Sequence, residues 1–177
     1  IMSKVDILQS VRPYLRRLME ASGETVHFVE RDGTDAVYID KVEAFNNGMQ
    51  MVSRIGSRIP LYCSGVGKAM MARMEDWEAE EIWNTSDICA LTEHTITDHE
   101  EFKKELEQIR QQGYALDNEE NQIGVRCIAC SLKVPMGDTK YAFSISAPVS
   151  RMDDGRIREL ADYVLGTAKE MAENLAR

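Results

Sequence analysis

The chain has 177 residues, 44% hydrophobic and 29% charged, a length and balance that fit one globular domain able to bury its own core. No apolar run approaches the roughly 20 residues of a membrane helix, and no secretory signal is visible. A net charge of −9 argues against a grip on nucleic acid by this piece alone, because phosphate contacts need clustered Lys and Arg. Four cysteines, Cys63, Cys89, Cys127 and Cys130, lack the spacing of a disulfide framework and read as free thiols of a cytoplasmic protein. The opening Ile1-Met2 reads as the start of an internal segment.

Ser3 can cap a helix whose apolar residues Leu8, Val11, Leu15 and Leu18 recur at helical spacing until Ser22-Gly23 ends it. Pro13 interrupts that span, since inside a helix it removes one hydrogen bond and clashes with the preceding turn. We expect a junction there, with Ser10 capping a second helix and the residues before Pro13 belonging to a linker. Thr25 to Arg31 and Ala36 to Val42 are rich in β-branched and aromatic residues, and Asp32-Gly33-Thr34-Asp35 between them reads as a hairpin loop. Met49 to Arg54 is a third candidate strand.

A helix is expected from about Ser64 to Arg73 and another from Glu75 to Trp83, where the acidic run to Glu81 reads as a solvated face. Asp98 followed by Glu101 resembles a capping box, Phe102, Leu106 and Ile109 make one apolar stripe, and Gly113 supplies the stop. A second strand group starts at Tyr114. Val125 to Val134 and Tyr141 to Ala147 flank the turn-rich Pro135-Met136-Gly137-Asp138, which predicts an antiparallel pair. Asp153 opens a last helix with a long apolar face from Ile157 to Leu175. Strands joined largely by hairpins, with helices packed mainly on one side, make an α+β pattern.

Strand alternation locates the chemistry. Val125, Cys127, Ala129 and Ser131 point one way while Arg126, Ile128, Cys130 and Leu132 point the other. In the partner strand Ala142, Ser144 and Ser146 share a small, polar face, and Tyr141, Phe143, Ile145 and Ala147 share an apolar one. The small polar face leaves room and hydrogen-bonding capacity for a hydrophilic ligand, against the plain alternative of two surface serines.

At Ser64-Gly65-Val66-Gly67-Lys68 the glycines let backbone approach closely, and the first amides of the helix can hold an anion. The alternative is a close-packed helix start. Tyr62 stands where both a phosphate loop and a nucleophile elbow require glycine, which removes both readings. Asp117, Glu119 and Glu120 suit an acid/base set, a hydroxyl-binding loop or a solvated turn, and no partner nucleophile is evident. His27, His94 and His99 are scattered and read as surface or strand residues; no Cys/His spacing matches a zinc site, so neither metal nor cofactor is expected.

Gly56-x-x-x-Pro60-Leu61, Ser64-Gly65-Val66-Gly67-Lys68-Ala69, Gly113-Tyr114-x-x-Asp117-x-Glu119-Glu120 and Gly124-Val125-x-Cys127-Ile128-Ala129 together resemble the effector-binding domain of IclR-type bacterial transcription regulators. The resemblance runs from about Ser3 to the C-terminus and includes Gly23-Glu24-Thr25-Val26 and Ser144-Ile145-Ser146. It implies a GAF-like α+β domain, an antiparallel sheet of about six strands flanked by helices. Residues 1–12 would be the end of a linker helix and 13–177 the effector-binding domain, with a winged helix-turn-helix DNA-binding domain upstream and absent from this chain.

The resemblance also implies a pocket for a small organic acid. The family's ligand positions fall on Gly65, Val66, Asp117, Val125, Cys127, Ser144 and Ser146. The Gly65 and Val66 amides would hold the ligand carboxylate, Ser144 and Ser146 would bond its oxygens, Asp117 would accept from hydroxyls, and Val125 and Cys127 would shape the floor. A carboxylate should avoid Asp117, since like charges repel in a partly buried site. Pro60-Leu61-Tyr62-Cys63-Ser64 looks closest to regulators of sugar-acid catabolism, so the effector is expected to be a sugar acid or another hydroxy or keto acid. DNA would be bound only through the upstream domain, no membrane is involved, and a homodimer or homotetramer is expected. Two rivals are a thiol-dependent redox enzyme using Cys127, for which Cys130 faces the wrong side, and a ligand-free oligomerisation domain.

Overall fold

The computed structural model describes residues 3–44, 53–134 and 139–177. The first helix, α1 (Lys4–Ser22), begins at a reciprocal capping box between Ser3 and Asp6 and ends on Gly23 in the left-handed region. It runs unbroken through Pro13, so the expected junction and the Ser10 cap do not form. The proline and the Gln9 carbonyl it leaves unpaired are both exposed, where water can replace the lost bond. Ile7, Val11, Leu15 and Leu18 are all buried. Burial of each stabilises by roughly 1.5–3 kcal/mol, which outweighs the ~3 kcal/mol cost of an interior proline.

Strands β1 (Thr25–Asp32) and β2 (Asp35–Val42) form the expected hairpin, closed by Gly33 at positive φ and Thr34. A register shift between Phe28 and Val29 lies within it. The candidate strand Met49 to Arg54 falls largely outside the described residues; its described end, Ser53 and Arg54, is not strand. The third strand is instead β3 (Arg58–Pro60), paired to the far edge of β2.

Three helices follow, α2 (Gly65–Arg73), α3 (Asp76–Thr85) and α4 (His99–Gln112), close to their expected bounds. Ser64 and Asp98 cap α2 and α4 with their side chains, and Gly113 ends α4 in the left-handed region. Then come β4 (Ala115–Asn118), β5 (Val125–Leu132), β6 (Tyr141–Pro148), a short 3-10 turn (Val149–Arg151) and α5 (Asp154–Leu175). β5 and β6 are antiparallel as expected, although the turn Pro135–Asp138 lies outside the described residues.

The six strands form one antiparallel sheet in the order β3, β2, β1, β6, β5, β4, an α+β architecture. Helices cover both faces, which corrects the expectation of one. On one face Val26, Phe28, Ile128, Leu132, Phe143 and Ile145 pack with α1 and α5. On the other, Val29, Ala36, Ala129 and Ala142 pack with α2, α3 and α4. The second layer was hidden because its sheet surface is built from small residues. They bring α2 close, and α2 itself is buried at eight of its nine positions, as a helix enclosed on all sides must be.

Two glycines set that approach. An added Cβ at Gly65 would stand 3.3 Å from the Ala129 Cβ, and one at Gly67 would land on the backbone of Leu61. Backbone cannot yield as a flexible side chain does. We therefore expect Gly67→Ala to lower unfolding free energy by more than about 3 kcal/mol or to prevent folding, measured by urea denaturation; a loss below about 1 kcal/mol would show that the turn before α2 relaxes freely.

Candidate functional site

The small-residue face leaves a cavity of about 300 Å³ where α2 does not cover the sheet. Its wall includes Asp117 of β4, Val125 and Cys127 of β5 and Ser146 of β6, four of the seven residues expected to bind ligand. The other three are buried beside it and do not line it. Gly65 packs against the Asp117 backbone, Val66 lies in the helical core, and Ser144 pairs with His27 and Ala129 deeper in the sheet. A larger groove of about 540 Å³ lies between α3 and α4, but none of the residues singled out for ligand binding reaches it.

Cross-strand register explains the convergence. Cys127 is opposite Ser146 on one side and Asp117 on the other. The Cys127 Sγ lies 3.0 Å from Ser146 Oγ, which lies 3.3 Å from His27 Nδ1, and His27 Nε2 lies 2.5 Å from Ser53 Oγ. A line of polar side chains thus crosses β5, β6 and β1 to the segment before β3. The His27 and Tyr38 rings pack with centroids 4.9 Å apart.

The sequence reading missed His27, Tyr38, Ser53, Ser57, Arg58, Asn121 and Gln122 of this wall. His27 carried a usable signal, since it lies two residues from Val29 on the same strand face. Its proximity to Ser146, however, depends on β1 pairing with β6, more than a hundred residues away.

Burial decides the charge of the wall. The Asp117 carboxyl is pushed up to about 7, by loss of solvent first and by the Glu120 carboxylate second. His27 is drawn down to about 4 by burial, then by the charge of Lys41. Burial likewise raises the Tyr38 phenol and the Cys127 thiol, the Asp117 charge adding to the latter. Arg58 is the cation of the described lining, and it is paired to Asp32 and, at 3.5 Å, to Asp35. In mild acid the cavity is therefore a set of neutral donors and acceptors with one guanidinium at its edge, suited to a small polar or anionic molecule.

The acidic loop divides its roles. Asp117 faces the cavity, while Glu119 Oε1 accepts from the Gly124 amide at 2.9 Å and Glu120 pairs with the buried Lys68. Lys68 Nζ stands 2.8 Å from Glu120 Oε1 and 2.8 Å from Glu105 Oε2. Burial lowers its proton affinity, but the two carboxylates outweigh that and raise it, so the amine is charged. Cys127 is held as a thiol, and Cys130 points into the opposite core, bonded to the Gly113 carbonyl. Cys127 and Cys130 thus lie on opposite sides of the sheet and do not supply the thiol pair that the redox reading needs.

The family described as "Bacterial transcriptional regulator IclR C-terminal" matches residues 1–173. The transcriptional repressor IclR of Escherichia coli K12 is 36% identical over 94% of this chain and 61% of its own length. The HTH-type transcriptional repressor AllR of the same strain is also 36% identical, over 96% of this chain and 62% of its own. The chain thus spans about three-fifths of these curated relatives. Among solved structures, Thermotoga maritima IclR superposes with a TM-score of 0.91 at 35% identity, covering 97% of this chain and 69% of that one. The C-terminal domain of E. coli KdgR does so with a TM-score of 0.85 at 30% identity, covering 97% and 99%. The family match and these relatives, with the shared fold, establish that the chain belongs to the IclR family of bacterial transcriptional regulators, as its C-terminal, effector-binding domain.

Proposed function

We propose that the cavity bounded by Asp117, Cys127, Ser146 and Arg58 senses a small organic acid, a sugar acid or another hydroxy or keto acid, in a cytoplasmic DNA-binding regulator. The observation that carries this reading is the convergence of neutral hydrogen-bonding groups with one guanidinium in a cavity of about 300 Å³. The acid group lies toward Arg58 and competes with Asp32 and Asp35 for its guanidinium. Ser146, Asn121 and Asp117 meet the hydroxyl or keto oxygens, and Val125 and Cys127 form the floor. The amides of Gly65 and Val66, in the first turn of α2 just behind Asp117, are further donors for an acid long enough to reach them.

DNA binding belongs to the portion of the relatives that this chain does not span, joined through α1, whose first turns up to residue 12 would end the linker. The domain works as a homodimer or homotetramer, so that paired DNA-binding domains meet paired half-sites. An effector that binds two arrangements of the assembly unequally shifts their populations, and one that binds both equally shifts nothing.

A thermal-shift panel of sugar and keto acids, with gluconate and pyruvate as representatives, tests the sensing role. An acid at about 100 times its dissociation constant adds roughly 2.7 kcal/mol of stability, and a panel without any shift would leave a ligand-free oligomerisation domain as the better reading. For an acid that shifts the melt, Ser146→Ala is expected to weaken binding by about 1–3 kcal/mol, the cost of an unmet buried polar partner; calorimetry giving wild-type affinity would remove Ser146 from the site. Binding should also depend on pH. Asp117 is largely protonated below its value of about 7 and anionic above it, so affinity for a carboxylate should be flat in mild acid and fall by up to about tenfold per pH unit above neutrality. Asp117→Asn should flatten that fall, and an unchanged slope in this variant would place the acid elsewhere.

A further inference from the structure

The wall of the cavity rests on a charge that lies outside it. Lys68 sits in the first turn of α2, the positive end of the helix dipole and an unfavourable place for a cation, and its side chain is 0% exposed. Burying a charge costs several kcal/mol, and well-packed apolar residues in place of a buried ion pair are often as stable or more so. Lys68 therefore contributes little as a stabilising contact, and what it supplies is position. Its Nζ donates to the Leu116 carbonyl at 2.7 Å, to Glu120 at 2.8 and 2.9 Å, and to Glu105 of α4 at 2.8 Å.

Leu116 and Glu120 bracket Asp117. Glu120 Oε2 also accepts from the Asn118 amide at 2.9 Å, and the Glu120 amide donates to Asp117 Oδ1 at 2.8 Å. Between them Glu119 adopts φ 58°, a left-handed conformation that a non-glycine residue holds only when its surroundings impose it. Thr92 and Thr95 secure the outer side by donating to the Glu119 and Glu120 carbonyls, each at 2.6 Å.

We propose that Lys68 is a positioning residue of the effector cavity, acting through Glu120 and the Leu116 carbonyl to place the Asp117 carboxyl and set its charge. The inference rests on the effector reading of that cavity. Beside burial, which acts first, Glu120 and Lys68 are the charged neighbours that act on Asp117. Cys127 of β5, Cys63 ahead of α2 and Tyr38 of β2 are held protonated by burial, and burial keeps His27 of β1 neutral. Arg58 of β3 is engaged by Asp32 and Asp35. Burial is the first cause of the raised proton affinity of Asp117; Glu120 adds to it and Lys68 opposes it, so the pair that holds the loop also adjusts the charge of the wall. Glu105 extends the same link to α4.

The ligand-free domain provides the test. Carboxyl carbon NMR reads the titration midpoint of Asp117, and hydrogen exchange reads the amides of residues 118–121. Glu120→Gln keeps the shape of the side chain and leaves Lys68 paired with Glu105; it is expected to lower the Asp117 midpoint by about one pH unit. Lys68→Met is expected to speed exchange at residues 118–121 by about tenfold or more while the amides of β6 and α5 keep their protection. If Lys68→Met does not fold, the Glu120→Gln midpoint decides alone. An unchanged Asp117 midpoint in Glu120→Gln, or unchanged exchange at 118–121 in folded Lys68→Met, overturns the proposal. No ligand enters these measurements, so failure of the acid panel would count against the effector reading without altering their outcome.

Discussion

An ammonium group without access to water must be surrounded by acceptors, and the demand made by Lys68 ties together three parts of the domain. One is α2, which carries it; another is α4, which supplies Glu105; the third is β4 with the turn after it, which supply the Leu116 carbonyl and Glu120. Lys68 lies 37 residues from Glu105 and 52 from Glu120 in sequence. An unpaired charge in such a place costs more than any single hydrogen bond returns, so the three must arrive together or not at all. The cavity wall at Asp117 is a consequence of that requirement.

The sheet divides labour between its faces. The face toward α1 and α5 is filled by large side chains such as Phe28, Phe143 and Leu132 and has no room for a ligand. The opposite face carries smaller side chains such as Ala129, Ala142 and Ser146 where α2 packs through Gly65 at one end and leaves a gap at the other. A packed core and a binding cavity thus share strands only because adjacent side chains point to opposite sides. The same alternation separates Cys127 from Cys130, and burial then suppresses the thiolate of each.

The charge of the cavity is also a collective property. Asp117 looks anionic in the sequence, and a carboxylate ligand was expected to keep away from it. Burial and the neighbouring Glu120 leave it largely neutral in mild acid, able to donate as well as accept. Repulsion from an acid ligand therefore depends on pH and is not a fixed feature of the site.

Local patterns were sufficient for most of the elements. Hairpin residues, caps at Ser64 and Asp98, the stop at Gly113 and two-residue alternation in β5 and β6 are short-range signals, and each reappears in the fold. Pro13 misled because the burial of four side chains in α1 outweighs a local rule, and α2, α3 and α4 were legible as helices but not their place over the second face, because small sheet residues give little apolar signal. Asp117, Val125, Cys127 and Ser146 were legible from alternation and resemblance. His27, Tyr38, Ser53 and Arg58 were not, since they reach the cavity only through the pairing of β1 with β6 and of β2 with β3. Sequence alone therefore determined which way the residues of β5 and β6 face, because side-chain direction follows backbone period. Tertiary structure decided which strands are neighbours, how closely α2 approaches and which acids keep their charge, because each depends on groups distant in the chain and on the water they exclude.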